Sequence, residues 1–159
     1  MDKNKGFTLI ELLVVTAIIL LFSGINLARY NDYTQELKLK NEAKKLVDVL
    51  ELAKKKALSA DLFDKNCTNF SGYQVTISSS SYLLSFGCAA IYSTVQNYNL
   101  TTNIRVTTGT GNYSFSPLMI NPSFISNTIR LRNSSISKCV NISISAIGVV
   151  ELNETLISC

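Results

Sequence analysis

The sequence contains no histidine and no tryptophan, and it has only two prolines and seven glycines among its 159 residues. Without histidine there is no Ser–His or Cys–His pair and no imidazole ligand for a metal. The only acidic residues beyond Asp64 are Glu151 and Glu154, so that part also lacks a well-supported pair of catalytic carboxylates. We therefore predict no catalytic residues, no metal site and no cofactor, and a protein that is not an enzyme.

Charge is scarce in most of the chain, although the net charge is +4, from 15 Lys and Arg against 11 Asp and Glu. Lys3 and Lys5 precede an apolar run, and a mixed-charge segment comes after that run over residues 38–56. The charged residues beyond Lys65 are Arg105, Arg130, Arg132, Lys138, Glu151 and Glu154. Positive charge before an apolar segment favours a cytoplasmic N-terminus and export of the chain beyond that segment.

The apolar run occupies residues 7–25, FTLIELLVVTAIILLFSGI. As a helix it would cover about 28 Å, which matches the hydrocarbon core of a bilayer. The charged leader before it is short and no A-x-A site follows Leu21, so the pattern does not indicate a secretory signal that is removed. We predict a transmembrane segment that stays attached. Glu11 lies within this segment, where a carboxylate costs a few kcal/mol in lipid.

A helical pattern continues beyond the apolar run, and no proline interrupts residues 7–60. The apolar positions of the second half are Leu39, Ala43, Leu46, Leu50, Ala53 and Ala57, with Val47 and Leu58 widening the stripe. Their spacing of three and four residues places them on one face of a helix. We predict one long helix, apolar all round over 7–25 and amphipathic over 26–60.

After residue 61 the sequence changes to the two-residue period of β-strands. The predicted strands are 72–78, 81–87, 103–108 and 128–133, and the predicted loops are 78–81, 109–112 and 121–123. Two apolar runs on either side of Gly148 predict a terminal hairpin. Antiparallel strands against an amphipathic helix define an α+β fold with a β-rich head over residues 61–159.

Four cysteines, Cys67, Cys88, Cys139 and Cys159, lie in the part predicted to be exported. An even number outside the cytoplasm indicates disulfides. Zinc is the competing interpretation, but there is no CxxC pair and no histidine to support it. Of the three possible pairings we favour Cys67–Cys88 with Cys139–Cys159, because each closes a short local loop worth about 3 kcal/mol in the chain-entropy model.

Basic residues of the predicted head form a second candidate site. Arg130 and Arg132 alternate with apolar residues, so they share one face of a strand. Together with Arg105 and Lys138 they could contact the phosphates of DNA. A solvated sheet face is the simpler interpretation of the same pattern.

The stretch KGFTLIELLVV resembles the N-terminal processing signal of type IV pilins and type II secretion pseudopilins. Members of this superfamily carry a short basic leader, a glycine, a phenylalanine, and a glutamate four residues later inside an apolar helix. These elements stand here as Lys3 and Lys5, Gly6, Phe7 and Glu11.

The resemblance implies that residues 1–6 are a leader, removed between Gly6 and Phe7 by a prepilin peptidase. It also implies N-methylation of Phe7 and assembly with other pilin or pseudopilin subunits, through an inner-membrane platform, into an extracellular or periplasmic filament. The Glu11 carboxylate lies near a helix N-terminus, where the dipole favours it, and it could pair with the Phe7 amine of another subunit. We expect that pairing to relieve the desolvation of the carboxylate and to fix the register between helices.

The remainder resembles minor subunits of the GspH/FimT/FimU type, with an alanine-rich helix end, a β domain and a terminal strand–Gly–strand. Many pilins carry a helix-kinking proline near the position of Ala28, and a basic residue often follows the hairpin glycine where this chain has Val149. A terminal disulfide loop is common in major pilins. We predict a structural filament subunit, a minor pilin or pseudopilin. A major pilin, a DNA-capturing tip pilin and an unprocessed membrane-anchored binding domain are the alternatives.

Overall fold

The computed structural model of the protein describes residues 7–62, 66–117, 123–124 and 127–159, and the side chains of 24–28 and 123–124 lie outside this description. One helix, α1, runs over Leu9–Leu58. The strands in these ranges are β1 Phe70–Ile77, β2 Ser81–Cys88, β3 Ile91–Asn99, β4 Ile104–Thr108, β5 Gly111–Phe115, β6 Ser123–Phe124, β7 Thr128–Asn133, β8 Lys138–Ile144 and β9 Val150–Ser158. The predicted leader, residues 1–6, lies outside the described residues.

The strands form two antiparallel sheets. Sheet A has the order β3-β2-β1-β5-β6, and sheet B has the order β4-β7-β8-β9. Every described pairing in the two sheets is antiparallel. The predicted α+β fold, a long N-terminal helix with antiparallel sheets, is therefore confirmed. The chain divides into two compact units, a first unit that ends at Thr34 and a second unit, Gln35–Cys159.

The second half of α1 supplies one wall of the core of the second unit. The six positions of the predicted stripe, Leu39, Ala43, Leu46, Leu50, Ala53 and Ala57, are fully buried. They belong to one hydrophobic cluster that contains inward-facing residues of both sheets. The prediction that Leu58 widens the stripe is wrong, because this side chain is 57% exposed. Leu58 is the last residue of α1, and Val49, one turn before Ala53, is buried instead.

The helix α1 ends in a C-terminal capping motif formed by backbone hydrogen bonds, without a glycine or a proline. The Asp61 N–H donates to the Lys56 carbonyl at 3.0 Å, and the Ala60 N–H donates to the Ala57 carbonyl at 3.2 Å. This is the Schellman motif, with Ala60 at the left-handed position (φ 50°) that glycine usually occupies. An ion pair between Lys56 and Asp61 spans the same turn.

Three of the described strands, β3, β5 and the two-residue β6, are absent from the sequence-based prediction. The edge strand β3 was missed because its side chains are mostly exposed, so the apolar alternation that marks a strand is weak. The predicted loop 109–112 is wrong in its second half, because β5 begins at Gly111 and pairs with β1. The Tyr113 and Phe115 side chains of β5 are buried in the core.

The terminal hairpin is confirmed, and its strands are longer than predicted. Gly148 has a φ of 75°, and its N–H donates to the Ser145 carbonyl at 2.8 Å. Lys54 Nζ of α1 donates to the Gly148 carbonyl at 2.8 Å, which attaches the turn to the helix. The structure contains two disulfides, Cys67–Cys88 and Cys139–Cys159, the pairing that the sequence favours.

Three tyrosines of sheet A, Tyr73, Tyr82 and Tyr113, are almost completely buried. Burial raises the pKa of each phenol to about 12, with smaller contributions from Asp61 at Tyr73 and from Glu42 at Tyr82. An unfolded tyrosine ionises near pH 10, so between these values the folded chain holds protons that the unfolded chain has lost. The contribution to stability is complete below about pH 10 and is lost as the pH rises through about 12.

We expect these three of the seven tyrosines to ionise only near pH 12, together with loss of the fold, when tyrosinate absorbance and circular dichroism are followed in one titration. Tyr113→Phe should make the fold less sensitive to alkaline pH, because it removes one such phenol and keeps the ring. Complete ionisation of all tyrosines near pH 10 with an intact fold would contradict this prediction.

Candidate assembly site and basic face

The N-terminus of α1 is capped by Thr8 and Glu11. The Thr8 N–H and the Thr8 hydroxyl both donate to Glu11 Oε2, at 2.9 and 2.8 Å. In return the Glu11 N–H donates to Thr8 Oγ1 at 3.3 Å. Because α1 begins at Leu9, Thr8 is the N-cap residue and Glu11 is the third helical residue. The two residues therefore form a reciprocal capping box.

The capping box adds Thr8 to the candidate site, a residue that sequence reasoning missed. The signal was present, since Thr8-Leu9-Ile10-Glu11 has the T-x-x-E spacing just before an apolar run. The carboxylate thus has a local function in the single chain, where it satisfies the N-cap amide and meets the positive end of the helix dipole. Gly6 of the predicted cleavage site lies outside the described residues, and Phe7 directly precedes the cap.

Apolar surface surrounds this cap in the first unit. Twelve large apolar side chains between Phe7 and Phe22 are each 48–88% exposed. Continuous apolar surface of this kind marks contact with lipid or with other proteins. In the part of the chain that the structure describes, no helix meets the length and hydropathy that a membrane span requires. The predicted transmembrane segment over residues 7–25 is therefore not confirmed.

Three of the four predicted basic residues share the outer face of sheet B. Arg105 on β4 lies directly opposite Arg132 on β7, and Arg130 lies two residues from Arg132 on the same side of its strand. Arg105 and Arg132 are exposed, whereas Arg130 is half-buried and its Nε donates to Asn141 Oδ1 at 3.0 Å. Within the described ranges, no Asp or Glu forms an ion pair with these arginines.

Lys138, the fourth predicted residue, has a different environment. It forms an ion pair with Glu36 of α1 and pairs in register with the buried Asn133, not with the arginines. It links the helix to sheet B. Among the described residues, no group of three His, Cys, Asp or Glu side chains is placed so that it could hold a metal ion.

The capped helix and the two sheets define an α+β protein with a specialised N-terminal segment. Residues 1–25 match the family model described as the prokaryotic N-terminal methylation motif. This motif is the prepilin signal of type IV pilins, so the predicted resemblance to the pilin and pseudopilin superfamily is confirmed. It supports a type IV pilin-like subunit, and a motif of this kind implies, in general, processing by a prepilin peptidase and assembly with other pilin subunits. No curated protein and no solved structure was found to match the chain.

Replacing Thr8 by valine tests the capping box. Thr8→Val removes the hydroxyl that accepts from the Glu11 N–H, and loss of an N-cap of this kind costs about 1 kcal/mol. We expect roughly fivefold faster amide hydrogen exchange in the first turn of α1.

The matched control is Thr16→Val, because the Thr16 hydroxyl donates to the Leu13 carbonyl inside the helix and caps nothing. Equal exchange rates in the first turn for Thr8→Val and the unmodified chain would contradict the capping role.

Proposed function

We propose that the protein is a structural subunit, a minor pilin or pseudopilin, of a type IV pilus or a type II secretion-like filament. It is cleaved after Gly6, methylated on Phe7 and assembled through α1. The observation that carries the proposal is the Thr8–Glu11 cap at the start of a helix whose apolar side chains are exposed as far as Phe22. A major pilin of the same machinery is the alternative that shares this chemistry.

Membrane anchoring precedes assembly in this proposal. Lys3 and Lys5 favour a cytoplasmic N-terminus, and the apolar segment 7–25 would lie in the inner membrane with the β-rich head exported. Disulfides persist in oxidising compartments, so the Cys67–Cys88 and Cys139–Cys159 bonds support export of the head.

The Phe7 amine of a neighbouring subunit is the proposed partner of Glu11 in the filament. A charged amine and a carboxylate form a short, charge-assisted hydrogen bond. In an apolar filament core, either charge without its partner carries a desolvation penalty of several kcal/mol. Pairing therefore favours one axial register between neighbouring helices over the others.

Processing is tested by intact mass and N-terminal sequencing of the protein recovered from its membrane. We expect a chain that begins at an N-methylated Phe7, because residues 1–25 match the N-terminal methylation motif. Gly6→Leu should keep the leader attached. Recovery of a mature protein that begins before Phe7 would exclude processing at this site.

The role of the Glu11 charge is separated from its role in the cap by Glu11→Gln. Glutamine keeps an oxygen that can accept from Thr8 but removes the negative charge. We expect Glu11→Gln to be cleaved normally and to be at least about tenfold depleted from sheared filaments relative to the membrane fraction, since one lost charge pair in an apolar core exceeds about 1.4 kcal/mol. Thr8→Val, which keeps the charge, is the control and should still assemble. Normal incorporation of Glu11→Gln would refute the charge pairing.

DNA capture is a second candidate function, favoured by the cross-strand pair of Arg105 and Arg132. Like charges directly opposite one another destabilise a sheet. An anionic partner bound at Arg105 and Arg132 would relieve this repulsion. The phosphates of DNA could bind to these arginines, and such contacts do not depend on the base sequence.

We expect full-length protein to bind duplex DNA at low salt, and Arg105→Gln with Arg132→Gln to reduce the slope of log K against log salt concentration by about two. Lys138→Gln is the control, because Lys138 is paired with Glu36 and should change the slope little. Absence of a gel shift at low salt would remove this candidate function.

A further inference from the structure

Sheet A carries an outer face without charge. Between Lys65 and Arg130 the only charged residue is Arg105, which lies on sheet B. The inward residues of β1 and β2 are buried in the core, so the alternate residues of these strands lie on the outer side. We term this outer side of β3, β2, β1 and β5 the neutral face.

The middle of the neutral face is built of two rows of side chains, which are amides and hydroxyls except for one leucine. One row runs across four strands through Asn97, Leu83, Thr76 and Asn112, each opposite the next in register. The Thr76 hydroxyl donates to Asn112 Oδ1 at 2.9 Å. With strands about 4.8 Å apart, the row extends about 14 Å, the length of a short oligosaccharide.

A second row lies beside the first and has the same chemistry. It consists of Thr94, Ser85, Gln74 and Ser114, of which Ser85 is buried and the other three are at least partly exposed. Gln74 Nε2 donates to Ser114 Oγ at 2.8 Å. Side chains that are already fixed by cross-strand hydrogen bonds lose less entropy when a ligand uses them.

An aromatic ring stands at one end of the rows. Tyr92 lies opposite Gly87 on the outer side of sheet A and is 37% exposed. Its ring covers the glycine so closely that a Cβ built on Gly87 would lie 2.7 Å from Tyr92 Cε1. The glycine therefore leaves room for a ring at this position of the sheet. The electron-rich face of such a ring attracts the weakly positive C–H groups of a ligand.

We propose that the neutral face binds a neutral pyranose oligosaccharide. A sugar ring would stack its C–H face on Tyr92, and its hydroxyl groups would exchange hydrogen bonds with the amides of Asn97 and Gln74, which both donate and accept. The absence of charge gives no attraction for an anionic polymer, which argues against DNA or an acidic glycan here.

A permanent protein partner is disfavoured by composition. The cores of such interfaces are rich in apolar and aromatic side chains. The part of the neutral face described above has only two large ones, Leu83 in the first row and Tyr92 at the end of the rows. The proposal does not depend on filament assembly, so its test and the processing test fail independently.

The test uses the full-length chain in lauryldimethylamine oxide micelles, a detergent without a sugar head group that would compete. Chitohexaose and cellohexaose are the neutral probes, and a hexamer of galacturonic acid is the anionic control. Saturation-transfer NMR at up to about 10 mM ligand detects the millimolar affinities expected of an open, polar site.

Tyr92→Ala should weaken binding of a neutral hexasaccharide about tenfold, the size of one lost stacking contact. Asn97→Asp, an exposed change that keeps the fold, removes the amide donors and should weaken it about threefold. Ile91→Ala is the matched control, because Ile91 is 75% exposed and precedes Tyr92 on the same strand but lies on the opposite side of the sheet. It should leave binding unchanged.

Three outcomes would overturn the proposal. The first is that neither neutral probe binds at about 10 mM. The second is that the galacturonate hexamer binds as well as the neutral probes. The third is that Ile91→Ala weakens binding as much as Tyr92→Ala. A different result would assign the neutral face to contacts between copies of this chain. In that case no sugar binds, and ultracentrifugation shows that the chain self-associates and that Tyr92→Ala does not.

Discussion

The burial of one helical face, from Leu39 to Ala57, is the constraint on which the rest of the second unit depends. Each sheet has an apolar inner side that must be covered, and the stripe of α1 shares one cluster with both. Removing a buried leucine from such a cluster typically costs about 2–5 kcal/mol, a large part of the stability of a domain of this size.

Polar contacts then fix the position of the helix against sheet B and against the segment between β3 and β4. The Thr101 hydroxyl donates to the nearly buried Glu42 carboxylate at 2.8 Å, and the buried Asn133 amide donates to the Gln35 carbonyl at 3.3 Å. A buried polar group without a partner would be costly, so these bonds disfavour any sliding of the helix that breaks them. Packing supplies the stability, and the polar contacts select the register.

Sequence reasoning succeeded where the physical signal is local. The stripe of α1 is visible because intervals of three and four residues match the helical period, and the two disulfides are visible because each joins cysteines about 20 residues apart. The capping box is equally local, but the charge of Glu11 in an apolar run is a stronger signal than its three-residue distance from Thr8. The strand β3 gave little signal, since an exposed edge strand needs no apolar alternation.

Contacts between residues far apart in the chain could not be predicted from the sequence. Nothing near Arg105 indicates that β4 pairs with β7, so the juxtaposition with Arg132 depends on the sheet order alone. The Lys138–Glu36 ion pair joins residues that are far apart in the chain, and its formation depends on how α1 packs on sheet B. In both cases the sheet order and the packing of the helix, and not the local sequence, determine which side chains lie next to each other.

The capping box also sets the energetics of the proposed assembly. Glu11 already accepts two hydrogen bonds from Thr8 in the single chain. Both bonds go to Oε2, and a carboxylate can accept further hydrogen bonds, so a neighbouring amine would be added to a charge that already has partners. The net free energy of such pairing is smaller than that of pairing with a bare carboxylate.

The separation of charge between the two sheets has a consequence for how the head responds to its surroundings. Attraction to the arginines of sheet B is screened over about 8 Å at physiological ionic strength, so contacts made there weaken as salt rises. Hydrogen bonds and stacking on the uncharged side of sheet A are nearly insensitive to salt. A rise in ionic strength would therefore weaken an anionic contact at sheet B and leave an uncharged contact at sheet A nearly unchanged.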